Sequence, residues 1–176
     1  NNGLVTNTLY LEACLHWRGV LIEPIHTSFQ AMLQSRPGAM SIRAAACQSQ
    51  GTISMLRRNS VDADVTAGFE SVLTRHHPRW KPHKWVRNKS MVKHELVPCA
   101  PLSDMLAVGR VRRVDIFVLD VEGSELVALR TIDWQMTSIG IMAVEFSAPQ
   151  NHASVERLEA IHGILTQSAG FECVAC

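Results

Sequence analysis

Two acids close one apolar burst. In Val114-Asp115-Ile116-Phe117-Val118-Leu119-Asp120-Val121-Glu122-Gly123-Ser124-Glu125-Leu126, the run Ile116 to Leu119 meets Asp120, Glu122 and Gly123. A helix-patterned segment comes next, with Leu126, Leu129 and Ile132 on one repeat. An unbroken apolar strand is what a parallel sheet covered on both faces requires. Ligands of open α/β sheets lie outside the carboxyl ends of such strands. Asp120 and Glu122 therefore stand where a cofactor or substrate is expected. A carboxylate there can orient a hydroxyl or take its proton. Glu122 has a plainer alternative role, as a charge favouring the start of the adjoining helix. Two carboxylates are too few ligands to argue for magnesium, so no metal is expected.

A second strand repeats the arrangement. Gly19-Val20-Leu21-Ile22 is short and apolar and ends in Glu23-Pro24. Thr27 can cap the next helix, whose Phe29, Met32 and Leu33 share a face, and Pro37-Gly38 ends it. An acid at the end of the second strand of a nucleotide-binding α/β fold can accept hydrogen bonds from both ribose hydroxyls. Glu23 is thus the first candidate for holding an adenosine; the alternative is a solvated acid at a strand end.

These acids need a scaffold, and the rest of the chain supplies alternating elements. Asn7 to His16 reads as a helix with Leu9, Leu11, Cys14 and Leu15 available to a core. Strand Val20–Ile22 and helix Ser28–Gln34 come next, then a strand over Ser41–Cys47 and an alternating hairpin arm, Gly51–Met55. Val97–Leu102 is short and extended, and Ser103 can cap a brief helix through Val108. Strand Asp115–Leu119, helix Ser124–Ile132 and strand Ile139–Phe146 succeed it. Val155, Leu158, Ile161, Ile164 and Leu165 line a helical face ending at Gly170, and Phe171–Val174 starts a last strand. Such alternation implies an α/β fold with a mostly parallel sheet, flanking helices and right-handed crossovers.

The chain has 176 residues and a formal net charge of +1, which suits one domain and leaves the charge of a partner open. No apolar run is long enough to span a membrane. The chain begins with Asn1, so a preceding targeting segment or anchor stays open, and a cytoplasmic location is the expectation. The five cysteines are Cys14, Cys47, Cys99, Cys173 and Cys176. Cys173 and Cys176 form a terminal CxxC without a second pair, a poor zinc site. The irregular spacing fits thiols in a reducing compartment, with a Cys47–Cys99 bridge in an oxidising lumen as the alternative.

One stretch interrupts the alternation. Residues 75–94 hold Arg75, Arg79, Lys81, Lys84, Arg87, Lys89 and Lys93, with Trp80 and Trp85, and no acid. Basic residues interleaved with indoles suit anionic or sugar-like ligands, single-stranded nucleic acid or an acidic membrane surface. A solvated loop pinned by its tryptophans is the favoured reading.

Five blocks in order carry a family resemblance: Asn7-Thr8-Leu9-Tyr10-Leu11-Glu12, Trp17 to Pro24, Val97-Pro98-Cys99-Ala100-Pro101-Leu102, Leu119 to Leu126, and Val144-Glu145-Phe146. Together they resemble the FkbM family of S-adenosylmethionine-dependent methyltransferases. Asn-Thr-Leu-Tyr and Leu-Ile-Glu-Pro are also similar to the Star-like animal proteins. The resemblance implies a Rossmann-like class I methyltransferase fold in one domain over 1–176, with the basic segment as an insertion. Asn1-Asn2-Gly3 resembles the tail of the family's glycine-rich loop, so the chain reads as a fragment lacking the first strand. The resemblance implies that Asn1 and Gly3 approach the methionine part of S-adenosylmethionine and that Glu23 binds its ribose. It places Ala46 and Cys47 at the adenine edge, without the usual acid there. It places Asp120 and Glu122 after the fourth strand, among the residues that bind the cofactor, and Glu145 after the fifth.

The implied reaction is O-methyl transfer to a hydroxyl of a small molecule or glycan, with Asp120 as the leading base and Glu145 second. His152 is an alternative base. Two rival readings stand beside it: a non-catalytic binding module of the same fold, and an RNA-directed methyltransferase using 75–94 on phosphates.

Overall fold

The computed structural model describes residues 8–58, 92–121, 123–146 and 152–174, the side chains of 56–58, 92–93 and 152–154 excepted. The chain packs as two compact units, one of residues 1–45 and 49–100, the other of 46–48 and 101–176.

The first unit opens with α1 (Leu9–Leu15), which ends on a left-handed His16 and returns the Trp17 N–H to the Leu11 carbonyl at 3.0 Å. β1 (Val20–Ile22), α2 (His26–Ser35) and β2 (Met40–Ile42) form a strand–helix–strand crossover. β1 and β2 pair in parallel from Val20↔Met40 to Ile22↔Ile42. α2 begins at an extended Ile25 rather than at Thr27, which is exposed inside the first turn. Its inner face buries Met32 and Ser28, while Leu33 turns outward. β3 (Ala45–Ala46), β4 (Gly51–Arg58) and β5 (Val92–Ala100) make a sheet of order β3-β5-β4. β4 and β5 run antiparallel, from Gly51↔Cys99 to Arg58↔Val92. The end of the basic stretch is therefore strand. Ile25, Met32, Met55 and Val97 are among the buried side chains of this core.

α1 buries none of its side chains, against the expectation for Leu9, Leu11, Cys14 and Leu15. It is tied down by charge instead. The Arg36 Nε, on a side chain only 1% exposed, donates to Glu12 Oε2 at 2.6 Å.

The second unit carries α3 (Leu102–Val108), β6 (Arg113–Leu119), α4 (Glu125–Leu129), β7 (Ser138–Val144) and α5 (His152–Gly163), which runs on into a π-helical turn, Ile164–Ser168. β6 and β7 pair in parallel from Arg113↔Ser138 to Leu119↔Val144. Gly140 is needed there, because a Cβ on it would stand 3.0 Å from the Asp115 carbonyl oxygen. Leu102, Met105, Leu106, Leu119, Ala128, Leu129, Ile132 and Ile161 are buried.

Mixed α/β architecture with parallel strand–helix–strand units is what the alternation implied. Several details differ. Among the described residues the strands fall into three small sheets, not one mostly parallel sheet. Ser41–Cys47 is not one strand, because β2 pairs with β1 while β3 joins β5. α3 starts after Pro101, and the Ser103 N–H goes to the Thr131 carbonyl instead of beginning a cap. Val155 and Leu158 stay exposed and only Ile161 of that helical row is buried, since α5 packs on an α4 of five residues. Phe171–Val174 forms no strand: after the left-handed Gly170 the Phe171 N–H folds back to the Leu165 carbonyl, and its ring meets Trp134 edge-on.

Candidate functional site

In the first unit the chemistry gathers where β1 ends. Glu23 continues the ladder one step past the strand, its N–H donating to the Ile42 carbonyl at 3.1 Å. Its carboxylate is half-buried, and Oε1 accepts the Ile25 N–H at 2.8 Å. That bond turns the acid back over the start of α2 and fixes its rotamer. Burial pushes the Glu23 carboxyl above its ordinary value of 4.5. The Ile25 N–H opposes that shift, and the negative charge of Glu95 adds to it. Glu95 reaches across from β5, where Oε1 accepts the His26 N–H at 2.8 Å and Arg43 Nη2 at 3.1 Å. Glu95 thus occupies the first N–H of α2 and leaves Glu23 as the acid beside it. Periodicity could not find Glu95, because its partners lie far off in the chain.

In the second unit two acids share an edge. The register Leu119↔Val144 puts Asp120 and Glu145 each one residue beyond its strand. The Glu145 N–H donates to the Leu119 carbonyl at 2.8 Å, so the pairing holds up to the acids themselves. Neighbouring strands lie about 4.8 Å apart. Both residues are exposed. The turn after Asp120 contains Gly123 at φ 97°, a left-handed conformation that favours glycine. Glu125, 2% exposed, sits beneath it, and its Oε1 accepts the N–H groups of Gly123 at 2.8 Å and Val121 at 3.3 Å. Arg157 of α5 donates from Nη1 to the Gly123 carbonyl at 3.3 Å and lies over the Phe146 ring, 5.4 Å from its centre. Neither Glu125 nor Arg157 stood out in the sequence as a site residue.

Each expected position has its place. Glu23, Asp120 and Glu145 all stand at carboxyl ends of parallel strands, the first in one unit and the other two in the other. Ala46 and Cys47 are buried at the end of β3. Asn1, Gly3 and Glu122, and residues 75–91 of the basic segment, lie outside the described residues. His152 begins α5. Among the described residues no group of three His, Cys, Asp or Glu side chains is placed to hold a metal ion. Among those residues, too, no helix is long and apolar enough to cross a membrane.

Cys47 and Cys99 are both disulfide-bonded, the alternative that belongs to an oxidising compartment. Neither sulfur is therefore a free thiol. Alkylation of denatured, unreduced protein is expected to label Cys14 and to spare Cys47 and Cys99 until reductant is added. Labelling of either one without reductant, read by peptide mass, would contradict the bonding.

The family model for the methyltransferase FkbM domain matches residues 1–173. The chain belongs to the FkbM methyltransferase family, and its class is therefore that of a group-transfer enzyme acting on methyl groups. No curated protein and no solved structure matches it.

Proposed function

We propose that this chain is the cofactor- and acceptor-handling domain of an S-adenosylmethionine-dependent O-methyltransferase, acting on a hydroxyl of a small molecule or glycan. The observation that supports this reading is the placement of acids at the carboxyl ends of both parallel pairs in a member of the FkbM family. That is where α/β folds bind ligands. A Rossmann-like fold belongs to the same proposal.

The residues fit the cofactor. An ionised carboxylate only accepts hydrogen bonds, and a ribose diol offers two donors. Glu23 is half-buried and oriented by Ile25, so little freedom is lost when it takes them. The bound cofactor supplies an activated sulfonium methyl. The protein then has to align the acceptor oxygen and take its proton. Asp120 would receive that proton while the acceptor oxygen takes the methyl group, whose carbon–sulfur bond breaks to leave S-adenosylhomocysteine. Glu145, one strand over, orients the acceptor from the other side of the same edge.

Calorimetric titration of the full-length protein with S-adenosylhomocysteine tests the cofactor half. Saturable binding that Glu23→Ala removes supports it; no binding by folded protein refutes it. Asp120→Asn tests the chemical half. Turnover is expected to fall about a hundred- to ten-thousand-fold, the usual contribution of a general base. Turnover equal to the parent's would take Asp120 out of the proton transfer.

A further inference from the structure

We infer that Glu125 and Arg157 are positioning residues that hold the backbone at Val121 and Gly123, and with it the strand end that carries Asp120, in its binding conformation. The inference rests on the methyltransferase reading of that edge, in which Asp120 also borders the cofactor, and names residues which that reading does not use.

Across the turn the Ser124 N–H donates to the Val121 carbonyl at 3.3 Å. Asp120 is exposed, and no regular element begins until Glu125. A left-handed glycine sits within it, so an unanchored chain has many conformations open. Two anchors act from opposite sides. The buried Glu125 carboxylate gathers the N–H groups of Val121 and Gly123 on a single oxygen. Hydrogen bonds to an ionised acceptor are about twice as strong as neutral ones. Arg157 takes the Gly123 carbonyl, so the peptides on either side of Gly123 are bound to different residues. The same guanidinium lies over Phe146, next to Glu145. Arg157 therefore touches the chain just beyond each of the two strand ends.

A purely stabilising role explains Arg157 poorly. Among the described residues its Nε is buried without a hydrogen-bond partner, and its bond to the Gly123 carbonyl is 3.3 Å long. A buried polar atom left without a partner costs free energy.

The test uses full-length protein and the variants Arg157→Met, Arg157→Lys, Glu125→Ala and Glu125→Gln. Amide hydrogen exchange across 120–126 is expected to speed up at least ten-fold at Val121 and Gly123 in Glu125→Ala. Glu125→Gln should restore much of the protection, because its carbonyl oxygen still accepts both N–H groups. S-adenosylhomocysteine affinity is expected to fall about ten-fold in Arg157→Met, with part of the loss recovered in Arg157→Lys. That loss should vanish when Arg157→Met is made on Asp120→Asn, since the arginine acts through the acid. A merely structural residue would give the same loss in both backgrounds, and that result overturns the inference. So does unchanged exchange at Val121 and Gly123 in Glu125→Ala. If the parent protein binds no S-adenosylhomocysteine, the cofactor reading falls, and exchange alone decides between positioning and none.

Discussion

Replacing Glu23 by alanine is expected to weaken S-adenosylhomocysteine binding about ten- to a hundred-fold. Hydrogen bonds to a charged group contribute roughly 1.5–3 kcal/mol, and 1.4 kcal/mol is tenfold in affinity. Glutamine should lose less, because its amide oxygen still accepts. The two substitutions also separate binding from stability. Burial raises the Glu23 pKa in the folded protein above 4.5. The folded state therefore holds that proton more tightly than the unfolded chain. Glu23's contribution to stability is full below pH 4.5 and is lost as pH rises through the raised folded value. At neutral pH the ionised acid is a net cost to the fold, and Glu23→Gln should raise the melting temperature there.

Cofactor affinity runs the other way. Protonation removes an acceptor that the ribose needs, so binding should strengthen as pH rises through the same value and level off above it. Titrations across the acidic range, with Glu23→Gln as control, read both slopes. A parent and a glutamine variant with the same pH dependence of affinity would remove Glu23 from the ribose site. The opposed slopes have one physical origin: an acid kept partly dry to hold a ligand is poorly solvated when the ligand is absent.

Arg36→Ala is expected to cost about 3–5 kcal/mol, the usual result of breaking a buried ion pair by removing one partner. That is a large part of the roughly 5–15 kcal/mol typical of a whole domain. The loss is steep because Glu12 cannot easily escape. Its side chain is 19% exposed, and its carboxylate oxygens lie within 3.4 Å and 3.5 Å of where a Cβ would stand on Gly19 and Gly38. α1 has no buried side chain to hold it once the charge is gone. Denaturant unfolding measures the cost directly. A loss below about 1 kcal/mol would mean that the pair behaves as an exposed one. Replacing both partners, Glu12→Leu with Arg36→Met, should recover much of the stability, since no lone charge is left inside.

The binding role of Glu23 and the structural role of Glu12 look alike in the sequence, each an acid near apolar residues. Only their surroundings separate them. Glu12 meets a guanidinium that neutralises it, whereas Glu23 has a backbone N–H and a second acid for neighbours.

The sequence alone determined where the acids of the edge would fall. Val20–Ile22 and Ile116–Leu119 were legible as strands from their contiguous apolar residues, and Glu23 and Asp120 mark where each run ends. The tertiary structure alone decided which acids share an edge, which are held by a cation and which turn is anchored. Glu95 reaches His26 from 69 residues away, and Arg157 reaches Gly123 from 34. Those contacts depend on how strands and helices pack, and packing leaves no period in the chain. The local pattern overreached at α1 and at Phe171–Val174 for the same reason. An apolar residue is buried only where another element arrives to cover it, and a strand forms only where a neighbour offers its backbone.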